Sequence, residues 1–236
     1  MNRALRNTER LMQTRMIAAA TLFAVAALPL TAADKPGTLS IDKQQKTVAI
    51  PCKVAPRKLP NLDQIYPLEV VACFPAPKGE KAHETLVTID AKPSEVHKAL
   101  ESLGLTAGKV ADVQNDKPSE GPELLVSLEL TTPEGVKRKV PVNQLMLDIK
   151  TGKPLPKSVR YRFTGSVMIQ PDPTKPDKVY AADQSGTLIA IFPVTDKTVM
   201  QATLTMKEEK YVKLETDKKV LPKEGTPVKL ILEIAK

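Results

Sequence analysis

Residues 81–104 read KAHETLVTIDAKPSEVHKALESLG, and the way this stretch divides decides the fold. Thr85, Val87 and Ile89 fall on one face of an extended segment and Leu86 on the other, which is the two-residue period of a strand. After Asp90 the period changes. Pro93 suits a first helical position, Val96, Ala99, Leu100 and Leu103 recur along one side, and Gly104 supplies a left-handed stop. The spacing predicts a strand and then a helix over about 93–103 whose apolar stripe packs on a sheet.

Outward from there the chain repeats short alternating runs separated by Pro, Gly and Asp, the pattern of antiparallel strands. TLSIDKQQKTVAIPCKV (38–54) predicts a first hairpin with Val48, Ile50, Cys52 and Val54 on one face. LEVVACF, LVTID, ELLVSLELTT, VKRKVPV, VRYRFTGSVMI, KVYAADQSGTLIAIF, KYVKLE and VKLILEI predict further strands, and PEG at 133–135 predicts another hairpin turn. The segments 105–122 and 171–178 read as surface loops. No internal repeat or interdomain linker is visible. The expected fold class is α+β, mainly antiparallel β-sheet with one packed helix.

The opening motif resembles a signature of the YdjY-domain family, bacterial envelope proteins without an established activity. TGKPLP at 151–156, FTGS at 163–166, YAADQSG at 180–186 and LPKEGTPV at 221–228 continue the resemblance, which covers nearly all of the chain after about residue 38. It implies a shared fold more than a shared chemistry. Some relatives carrying YdjY-like domains are described as ferredoxin-like. Here two cysteines with no CxxC leave too few thiolates for an iron–sulfur cluster, so none is expected.

Four arginines precede the apolar run 16–30, which is short for a bilayer span and exits through Thr31-Ala32-Ala33. This predicts a cleavable signal peptide over 1–33, with Met12 as an alternative initiator, and one YdjY-like domain over 34–236. No cysteine follows the run directly, so a lipid anchor lacks its attachment residue. The expected product is periplasmic or secreted, without a membrane span. The leader's four arginines and one glutamate account for +3 of the formal charge of +8. The remaining cations are mostly lysines dispersed among acids, and aromatics make up 3% with no tryptophan. A nucleic-acid partner is therefore not expected.

Among polar residues, His83 and Glu84 stand out. Strand alternation would point them apart, His83 with Thr85 and Glu84 with Leu86. The structural reading is a strand-entry histidine at the core margin; the functional one is a ligand contact, or a divalent-metal site needing about three protein ligands. His97, the other imidazole, reads as exposed on the helix flank. Asp90, Asp148 and Asp183 could complete such a site only if the fold gathers them. In FTGS and AADQSG, Gly165 and Gly186 suggest strand-bending, while Ser166, Asp183 and Ser185 can bond nearby backbone or rim a cleft. Cys52 and Cys73 could close a disulfide worth roughly 3 kcal/mol, although their strand parities oppose one another. A serine hydrolase built from Ser166, His83 and an aspartate can be drawn, but no nucleophile elbow, phosphate loop or dinucleotide fingerprint supports it. The reading favours a non-enzymatic envelope binding or interaction module, with His83, Glu84, Asp183 and Ser185 as candidate contacts and an envelope protein or small ligand as partner. A metal- or redox-linked accessory protein using His83 and Glu84 is the alternative. No resident cofactor is expected.

Overall fold

The computed structural model describes residues 38–235 except 116 and 133, so the leader read at 1–33 lies outside the described residues. The predicted amino-terminal hairpin forms from β1 (Ser40–Asp42) and β2 (Thr47–Val54). β3 (Val70–Cys73) and β4 (Thr85–Ile89) follow, and then α1 (Pro93–Ser102). β5 (Glu123–Thr131) and β6 (Lys137–Pro141) make the PEG hairpin, with Gly135 at φ +81°. Next come β7 (Met146–Asp148), β8 (Tyr161–Phe163), β9 (Met168–Ile169), β10 (Val179–Tyr180), α2 (Ala181–Ser185) and β11 (Thr187–Ala190). β12 (Met200–Ala202), α3 (Met206–Tyr211), β13 (Leu214–Thr216) and β14 (Pro227–Ile234) complete the described chain.

The chain is β-rich with few helices, as expected, but the main sheet is closed. Eight strands run in the ring β2-β14-β5-β8-β12-β11-β3-β4, and β4 pairs back onto β2. Closure depends on the length of β2. Its first half, Thr47–Ala49, takes β1, while Cys52–Val54 on the same strand takes β4. Pro51, which has no N–H to give a ladder, falls between the two stretches. β1 and β6 hang on the ring as outer additions. The expectation of antiparallel pairing is corrected at two joints, since β3–β4 and β11–β12 are parallel.

Register places the apolar half of each long strand on the inner face. Ile50 is opposite Leu230, which is opposite Leu128, and Val48, Leu232 and Val126 form the next tier. All six are buried in one continuous core. Exposed Lys53 and half-buried Lys229 mark the outer face of β2 and β14. β3, β11 and β12 are buried on both faces. One cover for β12 is the 105–122 loop, where the backbone N–H of Ala111 donates to Gln201 Oε1 at 2.8 Å.

The predicted helix is present. Pro93, Val96, Ala99 and Leu100 are buried, Leu103 is the half-buried C-cap, and Gly104 follows at φ +90°. Two further helices correct the single-helix expectation. AADQS folds as α2, ended by Gly186 at φ +74°, and the KY of KYVKLE closes α3 before β13 begins. The apolar run through AADQSG therefore breaks into strand, helical turn and strand.

Both cysteines are buried free thiols, so the pairing left open in the sequence is not made. β4 stands between them, with Cys52 opposite Ile89 and Cys73 opposite Thr88. Ile89 and Thr88 point to opposite faces of β4, so the two thiols lie on opposite sides of the barrel wall. Burial pushes the Cys52 thiol up to about 12 and raises that of Cys73, which suits inert packing groups.

Candidate functional site

His83 and Glu84 lie on a 3-10 turn, Ala82–Glu84, that ends where β4 begins. Strand parity therefore does not apply to them, and they approach rather than diverge: His83 Nε2 is 3.5 Å from Glu84 Oε1. Glu84 is buried and accepts from Lys81 Nζ at 2.8 Å, and Lys81 also donates to Glu69 at 2.6 Å. Burial raises the Glu69 carboxyl above its ordinary range, opposed by the Lys81 hydrogen bond. Burial works to lower Lys81, but the hydrogen bonds and charges of Glu69 and Glu84 outweigh it and raise the ammonium. The His83 ring packs edge-on against Tyr66, and its carbonyl accepts from Arg57 Nη1 at 3.2 Å. Arg57 was not singled out in the sequence. It is buried and also bonds Glu215 at 2.8 Å and the Tyr66 carbonyl. The only sequence signal for it was its rarity, one of four arginines after the leader.

A second network joins the other motifs. Asp183 on α2 accepts at both oxygens from Ser94, from the backbone N–H at 2.7 Å and from Oγ at 2.6 Å. Ser94 lies in the first turn of α1, where backbone donors lack intrahelical partners and negative charge is favoured, so Asp183 caps this helix from across the chain. His97, read as exposed, is instead only 18% exposed in its side chain. Its Nδ1 is 2.7 Å from the Tyr180 hydroxyl, which also accepts from the Ser166 backbone N–H at 3.0 Å. Burial pushes the Tyr180 hydroxyl up to about 12. Phe163 completes an aromatic seat for the imidazole, with ring centroids 4.9 Å apart. Gly165, at φ +67°, is required by this approach, because a Cβ there would lie 2.8 Å from the Ala107 methyl and 3.3 Å from His97. Ser185 is buried and donates to the Lys197 carbonyl at 2.7 Å. Replacing Asp183 with Ala should lower stability by about 0.5–2 kcal/mol through loss of the α1 cap, read as a shift in the urea midpoint at constant slope.

The helix from 81–104, FTGS and YAADQSG thus meet in one place. The agreement with the family signature extends to the whole domain, because the model of the YdjY domain matches residues 39–233. The chain belongs to the YdjY-domain family. No curated protein and no solved structure matches it. In this YdjY domain the signature residues chiefly bond one another, and among the described residues no group of three or more His, Cys, Asp or Glu is placed to hold a metal ion.

Side chains not spent on the scaffold lie on the surface beside that meeting point. A groove of about 390 Å³ runs past Phe74, Lys78, Asp90, Lys92 and Asp183. A larger one, about 640 Å³, shares Pro75 and Asp90 with it and continues past Lys53, Glu129 and Lys137. Volumes of this size lie in the range of small-ligand sites. Lys53, Lys78 and Asp90 are exposed and make no ion pair among the described residues. The structure therefore brings Asp90 and Asp183 to one groove, whereas His83 and Glu84 belong to the Lys81 network. Asp148 is separate, turned onto the Thr151 hydroxyl at 2.9 Å. The Thr151 hydrogen bond holds its carboxyl below the ordinary range.

Proposed function

We propose that this domain is an exported binding module of the bacterial envelope and that it holds its ligand or partner protein along the groove passing Asp90 and Lys53. The supporting observation is a division of labour among polar groups. Asp183, Ser185, Glu84 and His97 all have internal partners, while Lys53, Lys78 and Asp90, of mixed charge and lining joined grooves, have no side-chain partner among the described residues. Groups already bonded at 2.6–2.8 Å would have to give up a partner before meeting a ligand, and that costs about 1–3 kcal/mol for each buried group left unpaired. Unpartnered rim charges pay no such cost.

A photo-crosslinking residue placed at Lys53 or Asp90 in growing cells should give discrete adducts in the envelope fraction. The same residue at Lys210, on the surface of α3, should give none. Absence of adducts from both groove positions would sink the reading. The metal-linked alternative has a narrower basis, the 3.5 Å approach of His83 to Glu84 with the imidazole side chain 29% exposed. It requires metal that co-purifies with the parent and disappears in His83→Ala. Under the binding reading His83→Ala only lowers stability, by about 1–3 kcal/mol for lost contacts, with metal content unchanged.

A further inference from the structure

Farther along the outer wall, beyond the groove just described, a pocket of about 360 Å³ opens between β5, β6, the turn after β6 and the segment 157–160. Its β5 contribution includes Leu125 and Ser127. Leu128 faces inward opposite Leu230, so Ser127 faces outward, opposite Pro141 and Ile231. Ser127 is 5% exposed, and its hydroxyl has no hydrogen-bond partner among the described residues. Asn143, on the same wall, spends its amide N–H groups on the carbonyls of Pro156 and Val159, both at 3.1 Å. Its Oδ1 is buried and unpartnered. Native proteins satisfy the large majority of buried polar groups, so the orphaned Asn143 Oδ1 calls for a third party that donates to it, and the Ser127 hydroxyl beside it is free to donate or accept.

The rim says what else that party carries. Lys139, Lys157 and Arg160 all line the pocket. Lys139 is paired with Glu233 and Arg160 with Glu123, at 3.7 Å for the latter, while Lys157 makes no ion pair among the described residues. The local balance is positive. Leu125, 45% exposed, and Val159, buried, supply an apolar surface beneath these cations. We propose that this pocket binds a small amphipathic anion, an apolar body bearing a carboxylate or sulfonate together with an N–H or O–H donor. The anion meets Lys157, the donor meets Asn143 Oδ1, Ser127 completes the polar contacts, and the body covers Leu125. This site is separate from the Asp90–Lys53 groove and stands or falls independently of it.

The test uses 8-anilinonaphthalene-1-sulfonate, whose sulfonate, aromatic rings and amine N–H match these groups one for one. Its fluorescence is titrated against the purified parent protein and three variants. Lys157→Glu should weaken binding about tenfold by reversing the unpaired rim charge, and Ser127→Val should weaken it several-fold. Lys210→Glu, on α3, should leave it unchanged. Added salt should weaken binding to the parent, because the rim is exposed to solvent. The Lys157 side chain has no partner among the described residues, and only its backbone carbonyl is used, by Arg160, so thermal unfolding of Lys157→Glu should match the parent. That variant therefore decides the matter even if Ser127→Val folds poorly. Equal affinity for parent and Lys157→Glu, an equal loss in Lys210→Glu, or no saturable fluorescence gain overturns the proposal.

Discussion

Replacing Arg57 with Leu should cost about 3–5 kcal/mol, measured as the loss of unfolding free energy in a urea titration. The guanidinium, in a residue only 4% exposed, ties three separate segments together. Nε donates to Glu215 at 2.8 Å, Nη1 to the His83 carbonyl at 3.2 Å, and Nη2 to the Tyr66 carbonyl. Its own backbone N–H donates to Glu224 Oε1 at 3.1 Å. Leucine would preserve apolar volume but leave the carbonyls of Tyr66 and His83 without that donor and the Glu215 carboxylate, still bonded by Thr216, without its counter-charge, and acceptors and charges left unpaired are the costly outcome. Domains of this size are stable by about 5–15 kcal/mol, so the variant sits near the edge of folding. The paired change Arg57→Leu with Glu215→Leu should recover part of the loss, because no unpaired charge then remains. A pH dependence accompanies the pair. Burial works to raise the Glu215 carboxyl, but the Arg57 hydrogen bond and charge and the Thr216 backbone N–H hold it below the ordinary range. A depressed folded value means this stabilisation is present above the ordinary carboxylate range and is lost as pH falls through the depressed one. The parent should therefore lose more stability on acidification than Arg57→Leu does. A loss below about 1 kcal/mol in the single variant would show that solvent replaces the clamp.

Local pattern carried the elements, and distant pairing carried the architecture. The two-residue period of 47–54 and 227–234 and the helical stripe of 93–103 were legible because each is set by neighbours in sequence. Ring closure was not, since it depends on β2 meeting β4 and on the parallel joints β3–β4 and β11–β12. AADQSG shows the limit of pattern reading. Its alanines fit a strand as well as a helical turn, and the choice falls to Gly186, whose left-handed φ ends α2 where a Cβ would meet the Phe74 ring at 2.6 Å. Asp183 was visible as a polar candidate, but its partner Ser94 lies 89 positions away. The covering of His97 is hidden from local pattern for a similar reason, since its aromatic seat comes from the distant Phe163 and Tyr180. Side chains called out by their chemistry thus became scaffold, while the unremarkable Lys53, Ser127 and Asn143 were left with surfaces and atoms unspent.

Leu100→Ala should destabilise the protein by about 2–5 kcal/mol. Leu100 is fully buried, with Val96 and Ala99 beside it on the same face of α1. Truncation removes its burial energy and also leaves a cavity, and the wall around that cavity has little freedom to close. On one side stands a barrel whose ring is closed, so no free edge strand can shift inward without breaking pairs on both flanks. On the other, α1 is pinned at its first turn by Asp183 through Ser94 and at its middle by His97 through Tyr180. The expected value therefore lies toward the upper end of the range. Removing one pin should lower it: in an Asp183→Ala background the helix can settle into the cavity, and the two losses should sum to less than additive by about 0.5 kcal/mol or more. Urea titrations of the parent, the two single variants and the double variant give the coupling directly. Full additivity would mean that α1 is not held at its amino terminus by Asp183, and a Leu100→Ala loss below about 0.5 kcal/mol would mean that the helical stripe does not face the core.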